Sequence, residues 1–117
     1  MHDSLLSLDI TGYIETVRKE RKSISDDFLL DMVNAGYDTY DYLADGFLIK
    51  IKSLNKEESE SALSDLKRIK EQSTTLLYLL EPLEIDTKNM SRVELIYGTL
   101  EEEIPKLIKR INRKLKL

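Results

Sequence analysis

Between Asn55 and Pro82 a seam of small and apolar residues, Ala62, Leu66, Ile69, Ser73, Leu76 and Leu80, advances in alternating steps of four and three. A strand returns to the same face every second residue, so this seam belongs to a helix. Its narrowness is what helices crossing at a shallow angle present to one another in bundles and coiled coils. Helical periodicity runs through nearly all of the 117 residues, interrupted by only four glycines and two prolines, which leaves little room for sheet. At this length one domain is expected. The fold class predicted is all-α, with four principal helices in a bundle.

The helix ends can be placed from capping chemistry. A first helix is expected over about Ile10 to Lys22, capped by Asp9 or Thr11, with Tyr13, Ile14 and Val17 on one face and Arg18 to Lys22 in a cationic last turn. Leu5 and Leu8 before it suggest a short N-terminal helical turn. Ser25 followed by Asp26 and Asp27 reads as a cap and an acidic first turn. From there Phe28, Met32, Ala35, Thr39, Leu43, Phe47 and Ile51 recur at steps of three or four, broadened by Tyr40, Ala44 and Leu48. Gly36 and Gly46 each weaken a helix by about 1 kcal/mol, so residues 26–54 form one long helix or two shorter ones. Asn55 with Glu58 has the spacing of a capping box and opens the third helix, which Pro82 ends. A connection follows from Pro82 to Met90. Ser91 with Glu94 is a second capping box, predicting a fourth helix buried through Val93, Ile96, Leu100, Ile104, Leu107, Ile111 and Leu115. Pro105 is expected to bend or restart it and set off residues 104–117 as a basic amphipathic segment.

The formal charge of −4 is unevenly placed. From Ser23 to Ile49 there are six aspartates and no lysine or arginine; from Ile104 onward there are Lys106, Lys109, Arg110, Arg113, Lys114 and Lys116 and no acid. Solvated faces and partner-binding faces both account for these runs. The basic run is interleaved with Ile104, Leu107, Ile108, Ile111 and Leu115, so it suits a docking helix as well as a phosphate backbone.

Catalytic inventory is thin. Cysteine is absent and the one histidine is His2, which removes thiolate ligands and the commonest general base. Neither the Gly36 nor the Gly46 neighbourhood matches a phosphate-binding loop, and no Glu-x-x-His pair of a di-metal bundle is present. No cofactor and no enzymatic activity are expected. No stretch reaches the ~18 apolar residues of a membrane span, and the opening residues lack the pattern of a secretory signal; a cytoplasmic protein with no membrane partner is expected. The stripes are wide for a small bundle, so part of them is expected to meet other protein subunits in a homo- or hetero-oligomer. The interface candidates are Phe28, Tyr37, Tyr40, Leu43, Phe47, Leu76, Leu80, Ile96 and Leu100, tyrosine suiting such surfaces through its apolar ring and polar tip. The six cations from Lys106 to Lys116 are the nucleic-acid candidates.

The order of features from Ile10 to Arg113 resembles the helical domain of GINS subunits, replication factors that join the MCM helicase in archaea and eukaryotes. The resemblance is carried by Ser25-Asp26-Asp27-Phe28, by Tyr40-Asp41-Tyr42-Leu43, by Glu60, Ala62, Asp65, Leu66 and Ile69 on the charged long helix, and by Ser91-Arg92-Val93-Glu94-Leu95-Ile96-Tyr97. Thr74-Thr75-Leu76-Leu77-Tyr78 stands where family members commonly carry Arg and Lys, and too few residues follow Ser91 for the small β domain many members have. The resemblance thus implies a helical-domain-only or divergent subunit, a scaffold bridging helicase to primase or polymerase. The alternative is a small helical nucleic-acid-binding subunit of a ribonucleoprotein effector complex, as in CRISPR effectors.

Overall fold

In the computed structural model, residues 10–20 and 24–116 are described. They form α1 (Ile10–Lys19), α2 (Asp26–Asp41), a π-helical segment (Tyr42–Phe47), α3 (Leu48–Ile51), α4 (Lys56–Leu80) and α5 (Thr87–Lys116). Because α2, the π segment and α3 follow on without a break, the elements make four rods. No strand occurs among the described residues, and the fold is all-α. The N-terminal turn expected at Leu5 to Leu8 and the cap at Asp9 lie outside the described residues. The first helix stops at Lys19, short of the predicted Lys22, and already contains Thr11.

Two predicted caps are present as read. The Phe28 N–H donates to Ser25 Oγ at 3.1 Å; Glu58 N–H donates to Asn55 Oδ1 at 2.8 Å while Asn55 N–H donates back to Glu58 Oε1 at 3.1 Å. The fourth helix departs from expectation. It starts at Thr87 with Asp86 as its cap, accepting the Asn89 N–H at 2.9 Å, and Ser91 and Glu94 lie inside it. The Asn89 side chain decides between the two capping sites by donating to both Asp86 (2.7 Å) and Asp26 (3.0 Å), tying the starts of α5 and α2 together. The helix neither stops nor restarts at Pro105: Ile104 and Ile111, buried on either side of it, hold the rod through the missing N–H.

Helix α5 packs against both α4 and α2, and α1 packs on α4. The 49 Å long dimension of the molecule is close to the roughly 45 Å of a helix the length of α5. One continuous core includes Ile10, Val17, Met32, Phe47, Leu66, Ile69, Leu76, Leu80, Tyr97, Leu100 and Ile104. The side chains of Ser59, Ala62 and Ser73 on α4 are fully covered, small residues where neighbouring rods come near. Helix α1 is short. It is tied to α4 by a hydrogen bond from the Gln72 side chain to Thr11 Oγ1 at 2.7 Å and reaches the start of α2 through an edge-to-face contact of Tyr13 with Phe28, centroids 5.6 Å apart.

Helix α2 comes close to α5 at Gly36, where a Cβ would lie 2.9 Å from Ile96 Cγ1 and 3.3 Å from Tyr97 Cε2. Gly98 faces open space. Gly98→Ala is therefore expected to stabilise by about 0.5–1 kcal/mol through helix propensity. Gly36→Ala is expected to lose about 1 kcal/mol despite the same gain, because overpacking of this kind costs about 1–3 kcal/mol. Urea denaturation of the two variants gives the comparison.

Candidate functional site

The repeated step of four from Ala35 through Thr39, Leu43 and Phe47 to Ile51 exceeds the α-helical period, so in an unbroken α-helix this stripe would precess by about 40° per step. The π segment supplies the extra residue that returns it to the core. Leu43, Phe47 and Ile51 are all buried as a result. The rod then runs parallel to α5 at matched heights: Met32 and Gly36 meet Tyr97 and Ile96, Leu43 and Leu107 share a groove floor, and Ile51 and Leu54 meet Lys114.

That groove, about 280 Å³, lies between the two rods. Tyr40, Leu43, Ala44 and Leu48 line it from one side and Leu107 from the other, with Glu103, Lys106 and Arg110 along the α5 rim. Lys106 pairs with Glu103 at 3.1 Å, while Arg110 makes no ion pair among the described residues. Tyr37, Asp41 and Asp45 are exposed on the α2 rod but do not line the groove. The groove thus has an apolar side on the α2 rod and a charged rim of Glu103, Lys106 and Arg110 on α5.

The sequence candidates separate sharply. Leu43, Phe47, Leu76, Leu80, Ile96 and Leu100 are at most 2% exposed, covered by other helices of the same chain; as partner contacts these six are corrected, because their apolar area is already spent on the core. Phe28 is half-buried against Tyr13. Tyr37, 40% exposed, and Tyr40, in the groove wall, remain open to a partner. Ala44, Leu48, Glu103 and Leu107 belong to the groove without having been singled out for it; their signal was position one and two turns after Tyr40, and one turn before and directly after Lys106. Leu30, Ile49, Tyr78 and Leu95 are exposed apolar residues that periodicity did not pick out.

Of the six cations, Lys109, Arg110, Arg113 and Lys116 are exposed and form no ion pair among the described residues. Lys114 turns inward: its Nζ donates to the Ile51 carbonyl at 2.5 Å and to that of Leu54, satisfying acceptors at the end of α3. It is corrected from a nucleic-acid contact to a helix-end clamp. Lys114→Met keeps the stem and loses the donor. It is expected to cost about 1–2 kcal/mol, with faster amide exchange at Ser53 and Leu54.

A second depression lies at the C-terminal end of α4, lined by Tyr78, Leu79, Glu81, Pro82 and Leu83. Among the described residues no group of three or more His, Cys, Asp or Glu is placed to hold a metal ion, and no helix is long and apolar enough to cross a membrane. Comparison with protein-family models, with curated proteins and with solved structures finds no match to this chain.

Proposed function

We propose that this protein is a non-catalytic helical scaffold of a multiprotein assembly, a GINS-like replication factor that bridges an MCM-type helicase to other replisome proteins. The observation that carries the scaffold reading is the α2–α5 groove, where the apolar side formed by Tyr40, Ala44 and Leu48 faces a charged rim of Glu103, Lys106 and Arg110. Apolar area gives such a surface affinity, and the charge pattern sets the register of its partner. The helicase as partner is supported by the resemblance of the residues from Ser25 to Leu43 and from Ser91 to Tyr97 to GINS helical domains.

The test mixes the purified chain with MCM-class helicase subunits and follows co-elution by size-exclusion chromatography. A complex that survives 300 mM salt and is lost in Ala44→Arg supports the proposal; co-elution unaffected by Ala44→Arg, or none at all, refutes it. The second reading, nucleic-acid binding, is favoured by the four unpaired cations at the end of α5. If all four neutralised phosphates, affinity for single-stranded or duplex nucleic acid would fall by about 100-fold between 50 and 200 mM salt.

A further inference from the structure

Every residue that the α2 rod contributes to the groove is uncharged, and every charge on its rim stands on α5. Tyr40, Ala44 and Leu48 follow one another at steps of four, an apolar side about 12 Å long. On the α5 side Lys106 and Arg110 are one turn apart, about 6 Å along the axis. Glu103 holds Lys106 at 3.1 Å, whereas Arg110 makes no ion pair among the described residues. Past the groove the exposed cations Arg113 and Lys116 continue the excess of positive charge. The uncommitted charge is therefore positive and concentrated towards Arg110, and what fits it is an apolar ridge with negative charge along one edge.

We propose that the α2–α5 groove receives an acidic amphipathic helix of a partner protein, its apolar residues on Tyr40, Ala44 and Leu48 and a carboxylate on Arg110. The proposal rests on reading this groove as a docking surface, and it specifies the occupant. No strand occurs among the described residues, so no sheet edge is offered to an extended peptide. Two parallel rods instead leave a trough that takes a third rod as helices pack in a bundle. Side chains at i, i+4 and i+7 of that helix span the apolar side, and the acids flank them towards α5. A phosphate backbone would leave the apolar side uncovered, because Ala44 and Leu48 give it nothing to bind. The Glu103 carboxylate already shares Lys106, so Arg110 carries the larger part of the attraction.

Selection of displayed random peptides of about 16 residues, long enough for four helical turns, on the purified full chain tests this. Enriched sequences are expected to carry net negative charge and apolar residues at i, i+4 and i+7. As fluorescent peptides read by anisotropy, they are expected to lose at least about tenfold in affinity with Ala44→Glu, which fills the apolar side and adds a competing carboxylate. Arg110→Gln is expected to cost about tenfold and Lys106→Gln only about threefold, because Glu103 already shares that lysine. Asp45→Asn, off the groove on the α2 rod, is expected to leave affinity within about twofold. Circular dichroism establishes that each variant is folded; if Ala44→Glu is not, Arg110→Gln makes the comparison. No enrichment, enrichment of basic peptides, or binding indifferent to Ala44→Glu and Arg110→Gln would each overturn the proposal. So would displacement of the peptides by a single-stranded oligonucleotide, which assigns the groove to nucleic acid, or by self-association of the chain, which assigns it to a second copy. No helicase is present in this experiment: acidic peptides bound at the groove without helicase co-elution remove the helicase reading alone, and co-elution that depends on Ala44 without such peptides removes this inference alone.

Discussion

Tyr97→Ala is expected to destabilise the protein by about 4 kcal/mol, as truncation of a buried aromatic typically does. The ring is fully buried and packs where α5 meets α2 beside Gly36. Its hydroxyl donates to the Met32 carbonyl at 2.6 Å, one helical turn before Gly36, whose missing side chain makes room for the ring edge. Alanine here leaves a cavity and removes the donor together, whereas Tyr97→Phe removes only the donor and is expected to cost about 1 kcal/mol. Guanidinium denaturation followed by circular dichroism separates the two. A single domain is held by only about 5–15 kcal/mol, so the alanine variant loses a large share of its stability.

The same residue carries a pH dependence. Burial holds the Tyr97 phenol well above the ordinary tyrosine range, and Tyr13 nearby adds to the effect. The folded chain therefore keeps this proton at a pH where the unfolded chain releases it, near pH 10. The resulting stability is intact below pH 10 and is lost as pH rises beyond it. Tyr97→Phe is expected to reduce the fall in stability between pH 9 and 11; an unchanged fall would assign it to other groups.

Phe47→Ala is expected to cost a similar ~4 kcal/mol, with a different local consequence. Phe47 closes the π segment, is fully buried, and has the Tyr42 ring 6.1 Å away at 50°. Its burial is one of the contacts that favour the wider turn, which otherwise gives up regular α-helical bonding. Without the ring, residues 42–54 are expected to exchange their amide protons faster than residues 26–36. Uniform loss of protection along the rod would show instead that the π segment and α2 open as one unit.

The π segment marks where local reading of the chain ended. The run of four-residue steps from Ala35 to Ile51 is visible in the letters, but its consequence depends on whether Leu43, Phe47 and Ile51 all have a core to enter. Gly46 had suggested a break, since a glycine weakens a helix whatever surrounds it. Packing of the same stripe against α5 keeps the rod continuous. Asp86 was passed over for a similar reason: Ser91 with Glu94 was the more familiar capping pattern, and the Asn89 bond to Asp26 that decides the start of α5 spans 63 residues.

The α2–α5 groove divides in the same way. Tyr37, Tyr40, Lys106 and Arg110 were recognisable from residue type and spacing, yet nothing in one dimension placed Tyr40 opposite Arg110. Lys114 was indistinguishable from Lys109 by charge and composition, and only the end of α3 lying beside it gives its ammonium two carbonyls to bind.

Helix periods, the caps at Ser25 and Asn55 and the separation of acidic from basic segments are local properties, set by backbone hydrogen bonding and side-chain chemistry within a few residues. They were legible before any fold was known. Which apolar stripe is core, which cation is a clamp and which two walls enclose a groove depend on rods meeting across some sixty residues of chain. Those outcomes follow from close packing, because burial is a property of the neighbour that covers a residue as much as of the residue itself.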